Sequence, residues 1–171
     1  MADSTEPVIR AVLDTNVLAP FTIRRDLQHA AQDGAFTALW SPWIIAELNR
    51  VLTWKWIERR SSKVAGHGHA CDLSAANWRH CSTAAATMMD ILLATFELVE
   101  APPPYPAAWE TLRDLKDTPI WAAAVNGEAR YVVSNNTRDY PPRLEDGRAA
   151  YQSVEYLRAS AFLTLLTSSK S

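Results

Sequence analysis

Apolar positions along the chain fall into short runs that alternate with helical stripes. Val8 to Leu13 is apolar except for Arg10, long enough for a buried strand and too short for a helix. It stops at three small polar residues, Asp14-Thr15-Asn16. Arg25 to Asp33 reads as a helix with Leu27, Ala30 and Ala31 apolar, and Gly34 is a stop just past its end. Phe36 to Trp40 reads as strand two. Ser41-Pro42 then supplies an N-cap and a proline at the first helical position. The helix that follows gathers Ile44, Ile45, Leu48, Val51 and Leu52 on one face. A loop from Gly66 to Cys71 separates it from a helix resuming at Leu73, alanine-rich from about Thr83 to Ala94. Phe96 to Val99 is a short third strand, and Ala101 to Pro106 a stiff, proline-rich connector. Trp109 to Leu115 reads as a turn or short helix.

Asp117-Thr118-Pro119 opens a helix through Val125, closed by Asn126-Gly127. Arg130 to Ser134 is strand four, and Asn135 to Asp139 a polar loop. A weak strand at Ala149 to Tyr151 precedes a C-terminal helix from about Ser153 to Leu166. Residues 1–7 read as a loose leader and 168–171 as a frayed tail. Strands alternating with helices predict an α/β fold, a parallel sheet covered by helices on both faces. At 171 residues the chain suits one domain with a substantial core.

Composition changes this picture little. The chain is 48% hydrophobic and 21% charged, ordinary for a globular protein. A net charge of -2 gives no global attraction to a polyanion, which would have to be held by a local patch or through metal ions. No run has the form of a signal peptide or reaches about 18 apolar residues, so a soluble cytoplasmic protein is expected and no membrane partner. Two cysteines, Cys71 and Cys81, make no disulfide framework.

The candidate chemistry lies in carboxylates. A buried strand ending in Asp14 puts that carboxylate at the rim where open α/β sheets bind ligands; alternatively Asp14 starts a turn or caps a helix. Glu47 lies one turn from both Ile44 and Val51 and so borders the apolar face of its helix; otherwise it is a solvated helix residue. Asp114 and Asp117 stand at a helix start, where acids also complement the helix dipole. Asp139 follows strand four, on the same rim as Asp14 if strands one and four are parallel. Which rim Asp117 occupies is open from spacing alone. Carboxylates without histidine or cysteine favour magnesium or manganese, and such a site can activate water for phosphodiester cleavage.

Four segments, in order, resemble PIN-domain nucleases. They are Ile9-Arg-Ala-Val-Leu-Asp-Thr-Asn-Val-Leu18, Ser41-Pro-Trp-Ile-Ile-Ala-Glu-Leu48, Leu112-Arg-Asp-Leu-Lys-Asp-Thr-Pro-Ile-Trp-Ala-Ala-Ala124 and Tyr131-Val-Val-Ser-Asn-Asn-Thr-Arg-Asp-Tyr140. The last is similar to the form in VapC-like toxin ribonucleases of toxin–antitoxin pairs. The resemblance implies a three-layer α/β/α sandwich with a parallel sheet of about five strands. It also implies a Mg2+- or Mn2+-dependent endoribonuclease. It carries catalytic and metal-binding roles to Asp14, Glu47 and Asp117, with Asp139 as fourth acid, and brings Asp117 to the shared rim. Many relatives have aspartate where Asn136 stands, and an amide supplies an oxygen without charge. Asp114 is then an auxiliary carboxylate, and Thr15 and Ser134 are hydroxyls suited to positioning a carboxylate or water. The alternative from another class is a catalytically weak PIN-fold module that binds RNA or protein without cleaving.

Two further groups of residues stand out. Trp54, Lys55, Trp56, Arg59, Arg60 and Lys63 could hold phosphates and stack on unpaired bases, or receive an antitoxin segment; otherwise they form a solvated helix end. His67, His69, Cys71, His80 and Cys81 lie close in sequence, but their spacing matches no usual zinc pattern, and a polar loop is the preferred reading. RNA and an antitoxin protein are the expected partners; a homodimer is left open.

Overall fold

The computed structural model describes residues 8–65, 71–106, 112–138 and 140–168, with the backbone alone for 63–65. β1 (Arg10–Leu13) lies inside the sheet, and its Ala11, Val12 and Leu13 are fully buried, as a strand covered on both faces requires. A one-turn helix α1 (Thr15–Leu18) and α2 (Phe21–Gln32) follow. α2 begins earlier than the expected Arg25 because its N-cap is Pro20, which offers no side-chain signal. It ends as expected at Gly34, whose φ of +71° closes a Schellman turn: Gly34 N–H donates to the Ala31 carbonyl at 3.0 Å and Ala35 N–H to Ala30 at 2.9 Å.

β2 (Thr37–Trp40) leads through Ser41 into α3 (Pro42–Ala65), a longer helix than its apolar face suggested. α4 (Ala75–Leu93) packs back along α3, its first turn capped by the Ser74 hydroxyl. β3 (Glu97–Leu98) and a 3-10 turn at Leu115–Asp117 precede α5 (Thr118–Asn126) and β4 (Tyr131–Val133). The chain then makes β5 (Ala150–Tyr151), β6 (Val154–Leu157) and α6 (Ala159–Ser168).

The sheet has six strands in the order β3-β2-β1-β4-β6-β5, one more than the expected five. All neighbours pair in parallel except β5, which runs antiparallel to β6 at the edge. The extra strand is β6, in a segment expected to be helical from Ser153. β6 lies between β4 and β5, and α6 starts only at Ala159.

Side-chain alternation shows how the sheet is covered. Val132 pairs with Tyr156 and Tyr131 with Glu155, so Tyr131 and Tyr156 project to opposite faces. Tyr156 meets Trp121 of α5, and Tyr131 meets Phe162 of α6, which also stands edge-on to Phe36 at 5.0 Å. α5 and α6 therefore cover opposite faces.

Gly127 closes α5 at an ordinary φ of -86°. The position needs glycine for space: a Cβ there would stand 2.8 Å from Leu39 Cδ1 and 2.9 Å from Val99 Cγ2 and the Ala123 carbonyl oxygen. Gly127→Ala is expected to cost about 1–3 kcal/mol, the usual penalty for overpacking, at roughly 2–4 °C of Tm per kcal/mol. An unchanged thermal melt would show that the end of α5 yields without cost.

Candidate active site

The chain runs outward from β1 through β2 to β3, then returns across β1 to β4. That reversal opens a crevice at the carboxyl ends of β1 and β4, the place where open α/β sheets bind ligands. Asp14 leaves β1 there, its N–H donating to the Val133 carbonyl at 3.0 Å. It occupies the N-cap position of α1 without making a side-chain cap bond. Its carboxylate is instead held from β4: the Ser134 hydroxyl donates to Oδ2 at 2.7 Å, and Asn16 Nδ2 donates to the same oxygen.

Asn16 also donates to Ser134 Oγ at 2.8 Å and accepts the Asn135 N–H at 2.8 Å. Its role was not visible in sequence; the only signal was its place in the polar trio at the strand end. Asp14 is 6% exposed and Ser134 fully buried. Burial pushes the Asp14 carboxyl above the ordinary range, Ser134 pulls it back, and the charge of Glu47 raises it further.

Ser41 and Pro42 start α3 immediately after β2, which sets Glu47 just over one turn into the helix, facing the same crevice. Glu47 is half-buried, and Oε2 accepts the buried Thr15 hydroxyl at 2.6 Å. Both hydroxyls singled out in the sequence, Thr15 and Ser134, thus donate to carboxylates. Asp114 and Asp117 lie at the same cavity as Asp14, and α5 runs back from there to the start of β4. A helix that leads into a parallel strand begins at the carboxyl rim, which settles the position of Asp117. Asp117 takes the N-cap position of α5 with no side-chain cap bond. Asp114 does cap, accepting the Lys116 N–H at 2.9 Å.

One cavity of about 380 Å³ gathers these groups: Asp14, Glu47, Asp114 and Asp117 line it together with Lys55 and Lys116. Thr15, Asn16 and Asn136 contribute polar atoms to the same wall. Asn136 is exposed, and its N–H donates to Ser134 Oγ at 3.1 Å. Asp139 lies outside the described residues. Beneath the site, the Tyr140 hydroxyl is buried close to Asp14 and Ser134. Burial and the charges of Asp14 and Asp117 push its phenol far upward, so it stays protonated.

The donor set is oxygen only, the chemistry of a hard divalent cation. Among the described residues, no three His, Cys, Asp or Glu side chains converge tightly enough to grip an ion as they stand. Acids spread around one cavity suit a cation that keeps several of its waters. None of the ion pairs among the described residues involves Asp14 or Glu47, so the buried charge at Asp14 has no protein counter-ion there. On both grounds the residues fit magnesium or manganese.

Of the other candidates among the described residues, Lys55 lines the cavity and the rest sit apart from it. Along α3, Trp54 is exposed, Trp56 half-buried, and Lys55, Arg59 and Arg60 exposed. The side chain of Lys63 lies outside the described residues, as do His67 and His69. Cys71 is exposed, His80 is exposed on α4, and Cys81 is buried beside Asn77 at 3.8 Å. No helix among the described residues is long and apolar enough to cross a membrane.

Among known families, a PIN domain model matches residues 10–138. No curated protein matches the chain.

Proposed function

The chain belongs to the PIN domain family, whose members are generally nucleases that use divalent metals and bind RNA; from that premise we propose that it is a Mg2+- or Mn2+-dependent endoribonuclease of toxin type. The observation that carries this reading is the cavity itself. Four carboxylates line it at the switch point of the sheet, one of them buried without a counter-ion among the described residues. Asp14, Glu47 and Asp117 would hold the metal, with Asp139 as fourth acid and Asp114 in support. When bound, the cation supplies an activated water and stabilises the leaving oxygen of the phosphodiester. The protein's own part is orientation: Ser134 and Asn16 fix one oxygen of Asp14, Thr15 fixes one oxygen of Glu47, and Lys55 and Lys116 offer charge to a phosphate.

The decisive experiment is incubation of fluorescently labelled RNA with Mg2+, Mn2+ or EDTA. Cleavage with either metal and none in EDTA is the expected result. Cleavage that survives EDTA, or none under any condition, overturns the reading.

Asn136 favours a second reading, a catalytically weak module that binds RNA or protein without cutting, because an amide lines the cavity where a charge would strengthen a metal site. The two are separated by Asp139→Asn and Asn136→Ala. If Asp139 is the fourth acid, its substitution raises the metal concentration needed for half-maximal activity more than Asn136→Ala does. The reverse ranking would put Asn136 on the metal and remove Asp139.

A toxin nuclease in the cytoplasm needs an inhibitor, and an antitoxin protein is the partner this reading requires. An arginine from it could enter among the acids, forming paired hydrogen bonds to a carboxylate and displacing the metal.

A further inference from the structure

Along α3, residues four apart stack in one row: Trp43, Glu47, Val51, Lys55 and Arg59. The row leads out of the acid cavity. Lys55 and Ala19 border that cavity and also a neighbouring recess of about 300 Å³. Trp56 and Arg59 border this recess and also a third, of about 210 Å³, which continues to Arg60 and His80. Shared walls make the three one trough. From Glu47 to Arg60 it follows α3 for roughly 20 Å at 1.5 Å per residue.

The trough changes character along its length. Acids line the first part, whereas no carboxylate borders the second and third recesses among the described residues. Lys55, Arg59 and Arg60 take part in none of the described ion pairs. Arg24 adds an independent sign. It borders the second recess, yet it is only 5% exposed. Its Nη1 donates to the Leu18 carbonyl at 2.8 Å and to Ala19 at 3.3 Å, and its guanidinium lies 5.6 Å from the Phe21 ring. No described carboxylate pairs with it. A buried cation without a counter-charge is costly, and a phosphate arriving in the recess would balance it.

We propose that this trough is the path of a single RNA strand into the acid cavity, with Arg24 holding a backbone phosphate from the floor, Lys55, Arg59 and Arg60 meeting phosphates along the wall, and Phe21 and Trp56 offering ring faces to unpaired bases. Phe21 is 61% exposed, so its ring is accessible from the recess that it borders. Rings of this kind select single strands, because a duplex keeps its base faces stacked inside. The proposal rests on the nuclease reading for the identity of its ligand.

Binding measured in EDTA separates the two. A fluorescent single-stranded oligouridylate and a duplex RNA of equal length are titrated against the parent, Lys55→Glu/Arg59→Glu, and Arg143→Glu as an exposed control. The parent should prefer the single strand. The double variant should bind at least tenfold more weakly, and its plot of log affinity against log salt should flatten by about 0.7 for each phosphate that the protein no longer neutralises. The control should bind like the parent. Arg24→Gln should weaken binding while Arg24→Lys retains most of it. Equal affinity for duplex, or parent-like affinity and salt slope in the double variant, overturns the trough and leaves this surface to a protein partner. Metal-dependent cleavage alongside that result would keep the nuclease reading intact. Intact single-strand binding without cleavage would remove the nuclease reading and keep the trough.

Discussion

Asp14→Asn is expected to abolish metal-dependent cleavage while making the protein more stable. Loss of one carboxylate from the metal site removes several kcal/mol of charge stabilisation, and each 1.36 kcal/mol is tenfold in rate, so activity should fall about a hundredfold or more. The fold should gain because burial and Glu47 raise the carboxyl of Asp14, so the fold favours its neutral form. The sign follows from linkage. The penalty is absent below the ordinary carboxylate range near pH 4, grows as pH rises, and is complete above the raised value. An asparagine carbonyl can still accept from Ser134 and Asn16, so the substitution leaves both hydrogen bonds in place. In EDTA the variant should melt above the parent at pH 7, by roughly 2–4 °C per kcal/mol relieved, and the gap should close in acid. Parent-like cleavage would remove Asp14 from the chemistry. A lower melting temperature at pH 7 would show that its charge is already compensated.

Trp121→Ala should produce the largest loss of stability. Trp121 is fully buried, and its ring stands edge-on to Tyr140 at 5.3 Å and Tyr151 at 5.2 Å. It also contacts Tyr156 across the face of the sheet. Truncating such a residue costs about 3–5 kcal/mol, a large part of the roughly 5–15 kcal/mol that holds a domain together. The melting temperature should drop by roughly 6–20 °C. Trp121→Phe makes the useful comparison. The indole Nε1 has no hydrogen-bond partner among the described residues, so losing it abandons none of their bonds and removes a buried donor. The phenylalanine variant should keep most of the stability. If the alanine variant melts within a degree or two of the parent, the aromatic cluster is not the support it looks to be.

How far the sequence could be read depends on which forces leave a local trace. β1 was legible because a strand buried on both faces must be a nearly continuous apolar run, and Val8 to Leu13 is broken only by Arg10 at the strand's start. The start of α3 was legible in Ser41-Pro42, and that of α5 in Asp117-Thr118-Pro119, because capping chemistry is local. β6 was missed for a local reason too. The β5–β6 turn holds Gln152 and Ser153 at φ of 50° and 65°, a conformation usually announced by asparagine or glycine. Neither residue carries that signal, and Val154 to Leu157 runs on into the apolar stripe of α6. At the site, the acids could be named from sequence, but not what holds them. The hold of Asn16 on Ser134 and the closeness of Tyr140 to Asp14 exist only once β1 and β4 lie side by side. Topology also decided the rim of Asp117, which spacing left open.

The bond between Ser134 and Asp14 joins residues 120 apart in the chain. At synthesis rates of about 5–20 residues per second, roughly 6–24 s pass between the making of one and of the other. Through that interval β1 lacks β4, and the carboxylate waits without the hydroxyl that steadies it. If the chain is the ribonuclease proposed above, it is unfinished as an enzyme throughout that interval of its own synthesis.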